Sequence, residues 1–211
     1  MAVLLRDDFT GSGTLSGRTP DGVHTGTWTT ASWYSDDAAN ATISGGNCGR
    51  TTSGSWGANI TLPGSPADAY IEAGCLVSSG NSVGLGIRNQ GTLGRFGVFA
   101  EFAYQSGTQV LVNTSYDGTN LSAETPGTSA IITATPSNFV GRIEVQGTTA
   151  RFYVNSTLVI TATIDTPATG GAAYIDAQFS TGKLSYVEAG DMALPVIPPF
   201  WTAFRDSREV V

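Results

Sequence analysis

Along most of this chain apolar residues fall at every second position, and no segment carries the three-and-four spacing of an amphipathic helix, so the sequence reads as strands. The clearest run is Arg95 to Tyr104. There Phe96, Val98, Ala100, Phe102 and Tyr104 share one face, while Arg95, Gly97, Phe99 and Glu101 share the other, as in a half-buried strand. Thr108 to Tyr116 follows after the link Gln105 to Gly107, and Asp117-Gly118 then supplies a turn, which describes an antiparallel meander. A second set runs from Phe139 through Gln146, turns at Gly147-Thr148, returns from Ala150 to Val154, and turns again at Asn155-Ser156 into Leu158 to Thr163. Ile143, Val145, Phe152 and Val154 are expected to point inward. Ala69 to Ser78 alternates in the same way, with Ile71, Ala73, Cys75 and Val77 on its core side. Further strands are expected at Val3 to Phe9, Asn59 to Leu62, Ser82 to Asn89, Ala172 to Phe179 and Leu184 to Glu188. So many short strands exceed what one twisted open sheet holds, and two packed antiparallel sheets are the solution.

Composition agrees and excludes several partners. Gly supplies 27 of the 211 residues and charged residues only 13%, which disfavours long exposed helices. A net charge of -7 and a pI near 4.5 repel phosphate backbones and anionic lipid, so nucleic-acid binding and membrane insertion are not expected. The opening MAVLLRDDF lacks the apolar run of a secretory signal, and the chain is expected to stay soluble where it is made. Cys48 and Cys75 are read as unlinked thiols, Cys75 as a small core residue.

From residue 191 the sequence changes character. Pro195, Pro198 and Pro199 oppose regular pairing, and Phe200, Trp201 and Phe204 carry large apolar surfaces. Residues 1–190 are read as one β-sandwich and 191–211 as an extended tail. Pro198, Pro199, Phe200, Trp201 and Phe204 are expected to dock on a partner; folding back onto the sandwich is the alternative.

The segment with Asp7 to Phe9, Leu15, Thr19-Pro20-Asp21 and Trp28 resembles the start of concanavalin A-like, laminin-G-like jelly-roll domains carried by bacteriophage structural proteins. GRIEVQGTTARFYVNSTLVITAT is similar to paired strands of the same superfamily, with Gly147 matching and Asn155-Ser156 standing where an Asn-Gly turn is usual. AAYIDAQFSTGKLSYVEAGDM looks like the closing strands. The resemblance spans about residues 3 to 192 and implies an all-β, two-sheet antiparallel jelly-roll sandwich. Its motifs identify a fold better than an activity.

Catalysis finds little support. A glycoside hydrolase needs two carboxylates about 5 to 10 Å apart. The resemblance implies that a glucanase would carry them in a Glu, Asp, Glu spacing on one strand. Glu72, Glu101, Glu144 and Glu188 each lack a second acid two positions away; the outward Glu72, Glu101 and Glu144 either line a cleft from different strands or, equally well, form solvated cross-strand pairs with Arg95, Arg142 and Arg151. His24, the single histidine, sits in a turn-like loop and supports neither a triad nor a zinc site. No cofactor and no catalytic residue is therefore assigned. Calcium stays open through Asp36, Asp37 and Asn40, with local backbone capping as the plainer role. Sugar binding asks only for rings and fixed hydrogen-bonding groups, and Trp33, Tyr34, Asp36, Asp37 and Asn40 form the best local set, with Trp56 as a second ring. Trp28 is read as core.

These observations and the resemblance together lead to the expectation of a non-enzymatic bacteriophage virion component, on the capsid, tail or fibre. It would be assembled in the host cytoplasm and exposed on the released particle, displaying a lectin-like sandwich for weak host-surface glycan adhesion. Its expected partners are other virion proteins, reached through the tail, with self-association left open. A free-standing carbohydrate-binding module is the alternative, and a glycoside hydrolase a weaker one.

Overall fold

A computed structural model describes residues 1–30, 41–50, 56–78, 80–89, 97–104, 109–116, 126–132, 138–164, 171–177 and 182–192. Among these residues there is no helix, and sixteen strands form two antiparallel sheets. The first sheet runs β14 (Thr157–Thr163), β13 (Thr149–Val154), β12 (Asn138–Gln146), β7 (Ala69–Leu76), β16 (Lys183–Asp191), β5 (Asn47–Gly49), β4 (Thr42–Ser44) and β2 (Gly13–Thr14), with β1 (Ala2–Asp7) also paired to β16. The second runs β11 (Pro126–Ile132), β10 (Val110–Tyr116), β9 (Val98–Tyr104), β8 (Asn81–Asn89), β15 (Ala172–Ala177), β6 (Trp56–Thr61) and β3 (Thr29–Thr30). The two-sheet sandwich expected from the alternation is the observed architecture.

Period-two patterning explains which side chains meet between the sheets. Ile71, Ala73 and Cys75 of β7, Ile143 and Val145 of β12, and Phe152 and Val154 of β13 face Val83, Leu85, Val98, Ala100, Phe102, Ala173 and Ile175 of the second sheet, all fully buried in one continuous core. Phe102 and Phe139 pack across it in a tilted arrangement. Truncating a ring at this depth, as in Phe152→Ala, costs about 3–5 kcal/mol.

Two thiols sit inside this layer without joining. Leu184 of β16 is in register with Cys48 on one side and Cys75 on the other, so a whole strand separates the cysteines. That places their Cα atoms about 10 Å apart, beyond the roughly 7 Å that a disulfide can span. Both are free and buried, and burial pushes the Cys75 thiol up to about 12.

The N-terminal residues that carry the resemblance form a buried clasp. Asp7, fully buried, accepts from Trp28 Nε1 at 2.8 Å, from the Phe9 N–H at 2.9 Å and from Arg18 Nη2 at 3.2 Å. Desolvation pushes its pKa up, against the pull of the hydrogen bonds from Arg18, Trp28 and Phe9. Arg18 reaches on to Asp21, which also accepts from the backbone and hydroxyl of Thr10. Asp7, Phe9, Arg18, Asp21 and Trp28 thus close the loop after β1, and Trp28 is core as expected.

The Asn155-Ser156 turn is as tight as an Asn-Gly one. Both residues adopt positive φ, 48° and 65°, the geometry of a two-residue primed hairpin turn. Asn155 also uses its side chain: the Val140 N–H donates to its Oδ1 at 2.9 Å, while the Asn155 N–H donates to the Val140 carbonyl.

Candidate functional site

A sandwich offers two outer faces on which side chains can be fixed by a rigid backbone, and here they differ in chemistry. On the first sheet, Glu72, Arg142 and Glu144 lie side by side through the pairing of β7 with β12. Arg142 donates from Nη1 to Glu72 Oε2 at 3.1 Å and from Nε to Glu144 Oε1 at 2.9 Å. The second oxygen of each glutamate is also taken: Tyr186 donates to Glu72 Oε1 at 2.8 Å and Tyr153 to Glu144 Oε2 at 2.9 Å. Glu188 repeats the arrangement with Tyr70 at 2.7 Å and Arg6 at 3.3 Å. Arg6 and Arg142 stack over the Tyr186 and Tyr70 rings, each guanidinium carbon 4.3 Å from a ring centroid.

Each of these three carboxylates accepts on both oxygens from side chains of the same sheet, which ties them into one network. Burial first, and then the hydrogen bonds to Glu188 and Glu72, push the Tyr70 and Tyr186 phenols well above the ordinary tyrosine range. The cross-strand ion pair expected of Glu72 is made with Arg142, whereas Glu144 pairs with Arg142 along its own strand.

The outer face of the second sheet is built around glycine. Gly84 of β8 is in register with Glu101 of β9 on one side and Asp176 of β15 on the other. Asp176 is in turn opposite Gly57 of β6. One row therefore reads Glu101, Gly84, Asp176, Gly57 across four strands. The next row reads Phe99, Gly86, Tyr174, Asn59, Thr29. A Cβ on Gly84 would overlap both Asp176 Oδ1 and the Phe99 ring, and one on Gly86 would stand 3.3 Å from Tyr174 Cβ. The missing side chains let Phe99 and Tyr174 pack close to the backbone, with ring centroids 6.0 Å apart and ring planes inclined by 52°.

Phe99, Tyr174, Asp176 and Asn59 are buried although they point away from the core, and they form a floor. Tyr174 donates to Asp176 Oδ2 at 2.8 Å, which fixes the carboxylate against the sheet. Glu101 is half-buried at the margin of this floor, and Ser82 orients it by donating to its Oε1 at 2.6 Å. Sequence alternation placed Phe99 and Glu101 together on the outer side of β9, but not Phe99 in a buried pair. Asp176, Tyr174, Ser82 and the two glycines escaped sequence reasoning. The signal was the recurrence of small residues at alternate positions of β8, Ser82, Gly84 and Gly86, opposite an Asp and a Tyr on β15.

Trp56 requires a correction. Expected as a loop ring available to a sugar, it instead opens β6 and is only 2% exposed, packed among core residues. The Gly and Ser residues before it suggested a loop, yet strand pairing with Ala177 carries its ring inward. Trp33, Tyr34, Asp36, Asp37 and Asn40 lie outside the described residues, as do Pro198, Pro199, Phe200, Trp201 and Phe204. Among the described residues no group of three or more His, Cys, Asp or Glu is placed to hold a metal ion. His24 is held as a loop fastener, one ring nitrogen 2.8 Å from the Thr61 carbonyl and the other accepting from the Gly26 N–H.

No protein-family model matches the chain, and no curated protein matches it in sequence. Solved structures do match in shape. The chain is similar, with a TM-score of 0.60 and 12% identity over 89% of its length and 98% of the other chain, to a structure described under endo-acting O-glycanases that initiate mucin breakdown, expressed by members of the human gut microbiota. It is similar to Bacillus licheniformis β-glucanase, with a TM-score of 0.55 and 14% identity over 89% of this chain and 97% of that one. It is also similar to the exoplasmic/lumenal domain of VIP36 in a form bound to Ca2+ and Man3GlcNAc, with a TM-score of 0.55 and 8% identity over 81% and 85% of the two chains. The fold is the concanavalin A-like lectin and glucanase jelly roll.

Proposed function

We propose that the chain is a carbohydrate-binding, lectin-like module without catalytic activity, and that it receives glycan on the outer face of its second sheet. The observation that carries this reading is Glu101, half-buried at the margin of the buried Phe99, Tyr174 and Asp176 and oriented by Ser82 on a rigid backbone. A carboxylate fixed by Ser82 at the margin of an aromatic floor accepts hydrogen bonds from sugar hydroxyls without first having to be ordered. Shape similarity to a domain bound to Ca2+ and Man3GlcNAc supports the same choice. Trp33, Tyr34, Asp36, Asp37 and Asn40 belong to this proposal on their residue types alone, rings beside fixed hydrogen-bonding groups.

Binding without turnover is supported by two features. The first-sheet glutamates Glu72, Glu144 and Glu188 each accept on both oxygens from Arg and Tyr side chains that hold them in place, and Asp176, at 2% exposure, is buried. Incubating the full chain on an array of neutral and acidic glycans, with product analysis of the bound oligosaccharide, tests both parts. Binding that is weakened by Glu101→Gln, with the oligosaccharide recovered intact, is the expected result; no binding to any glycan, or a shortened product, would overturn it. Display on a bacteriophage particle is the finer form of this proposal and is supported by the resemblance of the Asp7 to Trp28 segment. Immunogold labelling of purified particles is its test, and unlabelled particles would remove it.

A further inference from the structure

The single histidine of the chain is built into the short edge of the second sheet, and two glycines make room for it. β3 is two residues long and pairs with Ala58 and Asn59 of β6, so it stops short of Thr61, whose carbonyl lies on the same side of β6 as that of Asn59. His24 supplies a donor there: its Nε2 stands 2.8 Å from the Thr61 carbonyl. The other ring nitrogen, Nδ1, accepts from the Gly26 N–H, so the imidazole joins the sheet edge to the backbone two residues ahead of it. Gly22 and Gly26 frame the ring. A Cβ on Gly26 would overlap His24 Cε1, and one on Gly22 would meet Arg6, whose carbonyl accepts from the Gly22 N–H at 2.9 Å.

These partners fix the protonation of the ring. A backbone N–H can only donate and a carbonyl can only accept, so Nδ1 carries no proton and Nε2 carries one, which is the neutral imidazole in one defined tautomer. We propose that His24 is an acid-sensitive latch on loop 22–26, closed while the ring is neutral and released at Gly26 when a solvent proton binds Nδ1. The protonated Nδ1 becomes a donor and confronts the Gly26 N–H, while Nε2–H keeps its bond to Thr61. Gly26 then turns its N–H to water, and the loop opens on one side of the ring only. His24 is half-buried between the exposed Val23 and Thr25, so solvent protons reach it. Among the described residues, the strands beside the ring, β3 and β6, bring no charge to it. Arg6, from β1, directs its guanidinium to Asp8 and Glu188, and Asp21, in the same loop, is committed to Arg18 and Thr10. Asp7, buried in the clasp with Trp28 and Arg18, is a second titratable group of this region. Thr61 lies two residues beyond Asn59, part of the floor on the outer face of the second sheet, so the latch bears on the margin of that face without resting on the glycan-binding reading.

Nitrogen-15 NMR of the full chain from about pH 8 to about pH 5, the span in which an ordinary imidazole charges, tests the latch, and a single histidine makes its assignment unambiguous. At the alkaline end an unprotonated Nδ1 and a protonated Nε2 are expected. As the ring charges, the Gly26 amide is expected to lose about tenfold in hydrogen-exchange protection, corrected for the intrinsic pH dependence of exchange. The Trp28 amide, bonded to the Arg18 carbonyl, keeps its protection. His24→Gln cannot charge, so Gly26 protection in this variant should be flat over the same range; a drop that persists there transfers the effect to Asp7 and overturns the proposal. A protonated Nδ1 in the neutral ring, or a Gly26 amide whose protection ignores the charging of the ring, overturns it as well. Both are read on the wild type and hold whatever the variant does.

Discussion

The two outer faces are both lined with carboxylates and aromatic rings, and they use them in opposite ways. On the first sheet, Glu72, Glu144 and Glu188 lie beside Arg6, Arg142 and three tyrosines, and the polar groups of these glutamates satisfy one another within the sheet. On the second, Gly84 and Gly86 carry no side chains, so the Phe99 and Tyr174 rings pack close to the backbone at a tilt to each other and Glu101 is left half-buried at their margin. The difference teaches that function on a sheet face depends less on which polar residues it carries than on whether neighbouring strands supply their partners. A row of acids facing Arg and Tyr stabilises the sheet; a row facing Gly lets Phe99 and Asp176 pack down over the backbone and leaves Glu101 half-buried at the margin.

The largest effect is expected from filling the glycine row. In Gly84→Val the new side chain must displace Asp176 and Phe99 together, and both are held by packing rather than free to swing. A loss of about 3 kcal/mol in stability, measured by urea denaturation, is expected together with loss of glycan binding. Wild-type stability in this variant would show that the floor is loosely packed and would erase the distinction between the faces.

Next comes the ladder. Arg142→Ala removes two ion pairs and the cation on the Tyr70 ring, leaving Glu72 and Glu144 with one phenol each, and is expected to cost about 2 kcal/mol while glycan affinity stays unchanged. The tyrosines add a pH signature. The Tyr70 and Tyr186 phenols hold their protons more tightly folded than unfolded, so their contribution is fully present below the ordinary tyrosine pKa of about 10 and is lost as pH rises beyond it. Denaturation midpoints should therefore fall above about pH 10, and Tyr186→Phe should flatten that fall. An alkaline profile identical in wild type and variant would detach the phenols from the network.

A smaller effect separates the faces by binding alone. Glu101→Gln keeps an acceptor for Ser82 but removes the charge, and about a tenfold rise in glycan Kd, roughly 1.4 kcal/mol, is expected by calorimetry with stability almost unaltered. Glu72→Gln on the opposite face should leave the Kd where it was. Equal losses in both variants would mean that general charge, not the second-sheet face, governs binding.

Much of the first face was legible in the sequence because its information is local. Alternation within β7, β12 and β13 fixes which side chains point outward, and a glutamate-arginine pairing between adjacent strands follows from that parity. The second face was not legible, because its central row joins Gly84 to Asp176, residues brought together only by the closing strand of that sheet. Period two says that Asp176 and Tyr174 share a face; it does not say which strand lies beside them. Trp56 failed for a different reason, since the surrounding Gly and Ser read as a loop while the partner strand imposed a buried extended conformation. β11 escaped notice because Pro126-Gly127 looks like a turn, although the residues after it pair with β10 as a regular edge.

The smallest predicted effect tests how completely the first sheet is specified by its turns. Ser156 holds a φ of 65°, a conformation that a Cβ makes costly, and its neighbour Asn155 anchors the same turn to Val140 through both backbone and side chain. Ser156→Gly relieves the strain in the folded state but also frees the unfolded chain, and the two effects partly cancel. A net gain of about 0.5 kcal/mol is expected from the midpoint of chemical unfolding. If Ser156→Gly instead destabilises, the turn is held by the anchored Asn155 alone and the entropy of the unfolded chain outweighs the relief. Ser156→Ala keeps the Cβ and should not reproduce the gain, which ties the effect to the backbone conformation and not to the lost hydroxyl.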